Sequence, residues 1–78
     1  KTKADPKINQ INQLANSSSI SGSKEKKEVA ILQSMNPAEL KYMIASRPEV
    51  IKNMLSDLWG SDYDTAITIL VGAGYVPE

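Results

Sequence analysis

With neither histidine nor cysteine among its 78 residues, this chain must do any chemistry through carboxylates, lysines, hydroxyls and a few aromatic rings. Thiolate or imidazole chelation of a metal, histidine-based acid–base catalysis and Ser-His or Cys-His nucleophile pairs are thereby excluded. Carboxylate-only chemistry remains open in principle. The one compact acidic run, Asp62 and Asp64 in SDYDT, lacks the ligand count of a calcium loop and suits the first turn of a helix, where carboxylates oppose the helix dipole. The GAG triplet at Gly72–Gly74 follows a helical pattern rather than a strand and opens no helix behind it, so it is not a phosphate loop. The expectation is a non-enzyme with no catalytic residues, no cofactor and no metal.

Charge separates the chain into two parts. Residues 1–28 carry six lysines against Asp5, Glu25 and Glu28, a balance of +3, whereas residues 29–78 carry Lys41, Arg47 and Lys52 against six acids, a balance of −3. An acidic half is a poor match for a phosphate backbone, and the lysines at 24, 26 and 27 have no interleaved aromatics. Nucleic acid is therefore not expected as a partner of the domain, and the KEKKE run reads as a solvated helix face. No apolar run reaches the length of a membrane span, and no signal-peptide pattern opens the chain. Lack of cysteine fits a reducing, intracellular and cytoplasmic setting. The start at Lys1 reads as a fragment of a larger protein.

The elements that must position these residues are helices. In NPAELKYMIASRPEVIKNMLSDLW, Asn36 caps a first helix, with Pro37 at its first position and Glu39 completing a capping box. Ser46 caps a second, with Pro48 in its first turn; Val50, Ile51, Met54, Leu55, Leu58 and Trp59 form one broad apolar face that runs to a left-handed Gly60. Ser61 or Asp62 then caps a last helix that presents Ala66, Ile67, Leu70 and Val71 inward and finishes at Gly72 and Gly74. Upstream, residues 24–35 are helical, with Val29, Ile31, Leu32 and Met35 apolar. Residues 16–24, NSSSISGSK, have the composition of a flexible connector. Asp5-Pro6 opens a short helix over 6–15 in which Ile8, Ile11 and Leu14 share a face. Whether this helix docks is left open by three aliphatics in an Asn-rich run.

The fold expected is all-α: a small bundle of three to five short helices preceded by a flexible polar segment, with residues 1–23 a basic, Ser/Asn-rich linker and 24–78 the interaction domain. Its core would comprise Val29, Leu32, Met35, Leu40, Met43, Ile44, Val50, Ile51, Met54, Leu55, Leu58, Ala66, Ile67, Leu70 and Val71. A globule this small buries only about 60% of its unfolded surface, so Tyr42, Trp59, Tyr63, Ile69, Tyr75 and Val76 cannot all join that list. Surplus apolar side chains left outside make either a groove for a short linear peptide or partner helix, or a face for homo-oligomerisation. Tyr42 reads either as an aromatic covering the core edge or as part of such a surface.

The run KEVAILQSMNPAELKYMIAS resembles the central motif of the MLLE domain, the peptide-binding module of cytoplasmic poly(A)-binding proteins. The matching positions are Lys27, Leu32, Met35, Asn36, Glu39, Leu40, Met43, Ile44 and Ser46. Ala30 stands where the family has a glycine and Gln33 where it has the second leucine of its name. The resemblance implies an adaptor that holds a linear motif carrying a key aromatic, in a pocket lined by Lys27, Ala30, Leu32 and Met35. With the surface aromatics Tyr42 and Trp59, these are the candidate partner-binding residues.

Overall fold

The computed structural model describes residues 4–17 and 23–77, and these form five helices around one core: α1 (Ala4–Ala15), α2 (Ser23–Ser34), α3 (Pro37–Ser46), α4 (Pro48–Asp57) and α5 (Gly60–Gly72). The all-α expectation holds. No strand is found among the described residues. The serine-rich stretch 18–22, expected as a connector, lies outside them.

Helix α1 docks. Ile8 and Ile11 are fully buried, and the helix packs against α2, α3 and α4. Core residues therefore lie on both sides of position 23, so the boundary expected there does not separate two packing units. The INQ repeat gains its meaning from this docking. Each isoleucine enters the core while each asparagine reaches the α4 side: Asn9 Oδ1 accepts from Arg47 Nη1 at 3.2 Å, and Asn12 Oδ1 from Asn53 Nδ2 at 3.1 Å. Poor intrinsic helix propensity is offset by tertiary bonds that only asparagine at these positions makes.

The capping box of α3 forms as its sequence dictates. Glu39 N–H donates to Asn36 Oδ1 at 2.8 Å, and Asn36 N–H donates back to Glu39 Oε1 at 2.9 Å. Lys7 of α1 donates to the same Glu39 oxygen at 3.1 Å, which clamps the box onto the neighbouring helix. The joint between α3 and α4 is a single residue, and it is not Ser46. Pro48 disfavours helical backbone at the residue before it, so the break falls at Arg47 (φ −133°, ψ 54°) and Ser46 remains inside α3.

Helix α4 ends two residues earlier than its apolar pattern suggests. Leu58 and Trp59 are extended, and the left-handed Gly60 (φ 62°) starts α5 rather than closing α4. Ser61 and Asp62 consequently lie inside α5. Its far end is a Schellman motif: Tyr75 N–H donates to Leu70 O and Gly74 N–H to Val71 O, both at 3.0 Å, with Gly74 at φ 105°.

The core comprises Ile8, Ile11, Val29, Leu32, Met35, Leu40, Met43, Val50, Ile51, Met54, Leu58, Ala66, Leu70 and Ala73. Four expected members are not buried. The inward register of α5 is 66, 70, 73, which turns Val71 out to 48% exposure, while Ile44, Leu55 and Ile67 are half-buried. Truncating Leu55 therefore removes a boundary contact, and the positions on which the fold rests in α4 are Val50, Ile51 and Met54, all fully buried.

Candidate functional site

Helices α2 and α5 lie side by side, and a groove of about 490 Å³ runs between them, lined by Leu32, Gln33, Met35, Asp64, Thr65, Thr68 and Ile69. Leu32 and Met35 are buried at its floor and Ile69 packs at the core edge. On α5 the spacing 65, 68, 69 forms a face distinct from the inward 66, 70, 73 register, so one helix serves the core and the groove with separate faces. The rim hydroxyls are already engaged: Thr65 Oγ1 donates to Ser61 O at 2.9 Å and Thr68 Oγ1 to Asp64 O at 2.8 Å. A ligand entering this groove meets apolar surface and no hydroxyl donor in want of an acceptor. The volume suits a few side chains of a peptide rather than a whole domain face.

The first turns of α2 hold a different arrangement. Lys24, Glu25 and Glu28 are 6%, 7% and 0% exposed, contrary to the solvated face that the KEKKE run suggests. The reason is register. Positions 24, 25, 28, 29 and 32 share one helical face, so the stripe that carries Val29 and Leu32 inward carries these charges inward too. Lys24 Nζ pairs with Asp57 Oδ1 of α4, donates to the Leu14 carbonyl at 3.2 Å and stands 3.7 Å from Glu25 Oε2. Burial works against the charged form of Lys24, but the Asp57 hydrogen bond and charge, with Glu25 and Glu28 behind, raise its pKa. Asp57 also opposes a burial penalty, and its bonds to Glu28 and Lys24 hold its pKa below the usual carboxylate value. Glu28 goes the other way: burial, then the neighbouring Asp57, push it up to about 8.

Comparison with models of protein families, with curated proteins and with solved structures finds no match.

The residues singled out from sequence fall in four places. Leu32 and Met35 meet in the α2/α5 groove. Lys27 and Ala30 lie on another side of α2, in a hollow of about 380 Å³ shared with Gln10, Gln13, Leu14 and Ile31. Tyr42 is half-buried, and its hydroxyl donates to Asp5 Oδ1 of α1 at 3.1 Å. Trp59, 72% exposed, stands at the α4–α5 corner. One turn into α5, Tyr63 contributes to a further hollow of about 530 Å³, with Leu55, Tyr75 and Val76 among its lining residues. Sequence reasoning did not reach the α5 wall of the groove or the Lys24 cluster. The available signals were the 65, 68, 69 spacing and the continuity of the α2 stripe through its charged turn. Among the described residues, no helix is long and apolar enough to cross a membrane.

Proposed function

We propose that this chain is a non-catalytic protein-interaction module that holds a short linear peptide, or one turn or two of a partner helix, in the groove between α2 and α5. The observation that supports it is the groove itself: an apolar floor of Leu32 and Met35, an Ile69 wall, and threonines whose hydroxyls already have acceptors. Anchoring by two or three apolar side chains gives affinity of the order of micromolar, about 8 kcal/mol. The floor residues Leu32 and Met35, and Lys27 and Ala30 in the hollow on another side of α2, all belong to the MLLE-like run, so a peptide crossing α2 would use both. The setting we infer is intracellular, as part of a larger protein.

Selection from a random peptide library, followed by NMR titration of the selected sequences, tests this reading. Apolar motifs should emerge, shifts should concentrate at Leu32, Met35, Thr65, Thr68 and Ile69, and Ile69→Glu should abolish binding while the fold persists. Shifts centred elsewhere, or undiminished binding by the Ile69→Glu variant, would overturn it.

A second reading has its own observation. Trp59 and Val76 (81% exposed) leave a large apolar surface uncovered near Tyr63 and Tyr75, and such surface suits homo-oligomerisation. Light scattering across a concentration series decides. A defined dimer that dissociates in Trp59→Ala, with Tyr42→Ala unaffected, would favour assembly; a monomer at every concentration would leave the groove reading in place.

A further inference from the structure

The cluster around Lys24 contains more carboxylate oxygen than one ammonium can serve. The Lys24 donors are committed to Asp57 Oδ1, the Leu14 carbonyl and the Glu25 side of the cluster. Beyond their reach, Glu28 Oε1, Glu28 Oε2 and Asp57 Oδ2 are buried, and with Glu28 ionised none of them has a hydrogen-bond donor. Glu28 itself is 0% exposed. One oxygen from each of Glu25, Glu28 and Asp57 lies within 4.8 Å of the others. Oxygens on opposite sides of a calcium ion are about 4.6–5.2 Å apart, so these separations are of the size that a shared ion requires.

Once Glu28 gives up its proton, three carboxylates against one ammonium leave two negative charges, which a divalent cation cancels. A lone proton does less. It turns one oxygen into a donor toward one acceptor, and at least one of the three buried oxygens stays unsatisfied, a costly state in a low-dielectric interior. The donor set is all oxygen and all carboxylate, which favours hard cations of the calcium, magnesium and manganese class over zinc or copper. The exclusion drawn from missing imidazoles and thiolates does not reach such ligands.

We propose that Glu25, Glu28 and Asp57 form a binding site for a hard divalent cation, with Lys24 as a fixed counter-charge beside it. Ligands from the first turns of α2 and the last residue of α4 join two helices that otherwise meet mainly through side chains of this cluster and through α1. Binding would therefore stabilise the fold.

Trp59 provides the readout, because its indole follows Asp57 by two residues and can sensitise terbium emission. The metal-stripped chain is titrated with Tb³⁺, and Ca²⁺, Mg²⁺ and Mn²⁺ are then added as competitors. Saturable emission at one equivalent, displaced by at least one of the three ions, is expected. Glu28→Gln, shown by circular dichroism to be folded, should weaken binding by about tenfold or more, and the exposed Glu49→Gln should not. The competing ion should also raise the melting temperature of the wild type and leave that of Glu28→Gln unchanged. If Glu28→Gln does not fold, Glu25→Gln makes the same comparison. Absence of saturable emission, or equal emission from the folded ligand variant, would overturn the proposal.

Discussion

Helix α2 is inside out at one end. Its first turns bury Lys24, Glu25 and Glu28, while its later turns leave Leu32 and Met35 at the floor of an open groove. The usual distribution places charges outside and apolar groups inside. The two regions differ in what they require of their surroundings. The groove has no unmet hydrogen-bonding demand and can stand empty at modest cost in exposed apolar area. The cluster has carboxylate oxygens without donors, so its energy depends on what sits beside it. Removing a charged group should be costly at the first turns and mild beside the groove, and three experiments test that contrast.

The largest effect is expected from Lys24→Met. Deleting the ammonium leaves the buried Glu25 and the partly buried Asp57 without their counter-charge, and breaking such a pair costs up to about 3–5 kcal/mol. For a domain of this size that approaches the whole stability. Urea denaturation at neutral pH in EDTA measures it. Adding Asp57→Asn to the variant should restore more than half of the loss, because the uncompensated charge leaves with it. A loss under about 1 kcal/mol would show that the cluster behaves as a solvated surface pair.

The second effect is a pH dependence whose sign follows from Glu28. Its carboxyl is raised in the folded chain to about 8 from an ordinary 4.5, so between those values the folded state holds a proton that the unfolded state has released. Stability contributed by that proton is complete below 4.5 and is lost as pH rises through 8. The slope reaches at most about 1.4 kcal/mol per pH unit. The partners shift elsewhere: Asp57 is lowered and acts on the acid side of its ordinary 3.8, and Lys24 is raised and acts above its ordinary 10.5. Melting temperatures recorded in EDTA should fall across the window in the wild type and stay level in Glu28→Gln. A level wild-type profile would mean that Glu28 is already ionised at neutral pH.

These effects sit where the sequence was hardest to interpret. The Asn36–Glu39 capping box, the proline-opened helices and the left-handed backbone of Gly60 were legible because each is set by residues within a few positions of one another, although Gly60 opens α5 rather than closing α4. Docking of α1 was not, because its evidence lies far along the chain, in Arg47 and Asn53, which donate to Asn9 and Asn12. The charged turn of α2 misled for a related reason. Lysine and glutamate are solvated in most helices, and the partner that reverses this, Asp57, lies on a helix 33 residues away. Half of the groove was visible as Leu32 and Met35. Its other wall required knowing that α5, rather than α3, lies alongside α2.

The smallest effect is the most discriminating about the groove. Lys26, two residues after Lys24, also pairs with an aspartate on another helix: its Nζ lies 3.8 Å from Asp62 Oδ1, spanning the N-terminal ends of α2 and α5 beside the groove. The chemistry is the same as that of Lys24 with Asp57, but the Lys26 side chain is 76% exposed. Water and salt screen such a pair, and holding a long side chain in place costs entropy. Lys26→Ala should therefore change stability by no more than about 0.5 kcal/mol and leave selected peptides bound as tightly as before. The α2–α5 seam would then be held by Leu32, Ala66 and Leu70, all fully buried. A loss comparable with that of Lys24→Met would mean that the seam depends on charge, and the groove would widen or close with ionic strength.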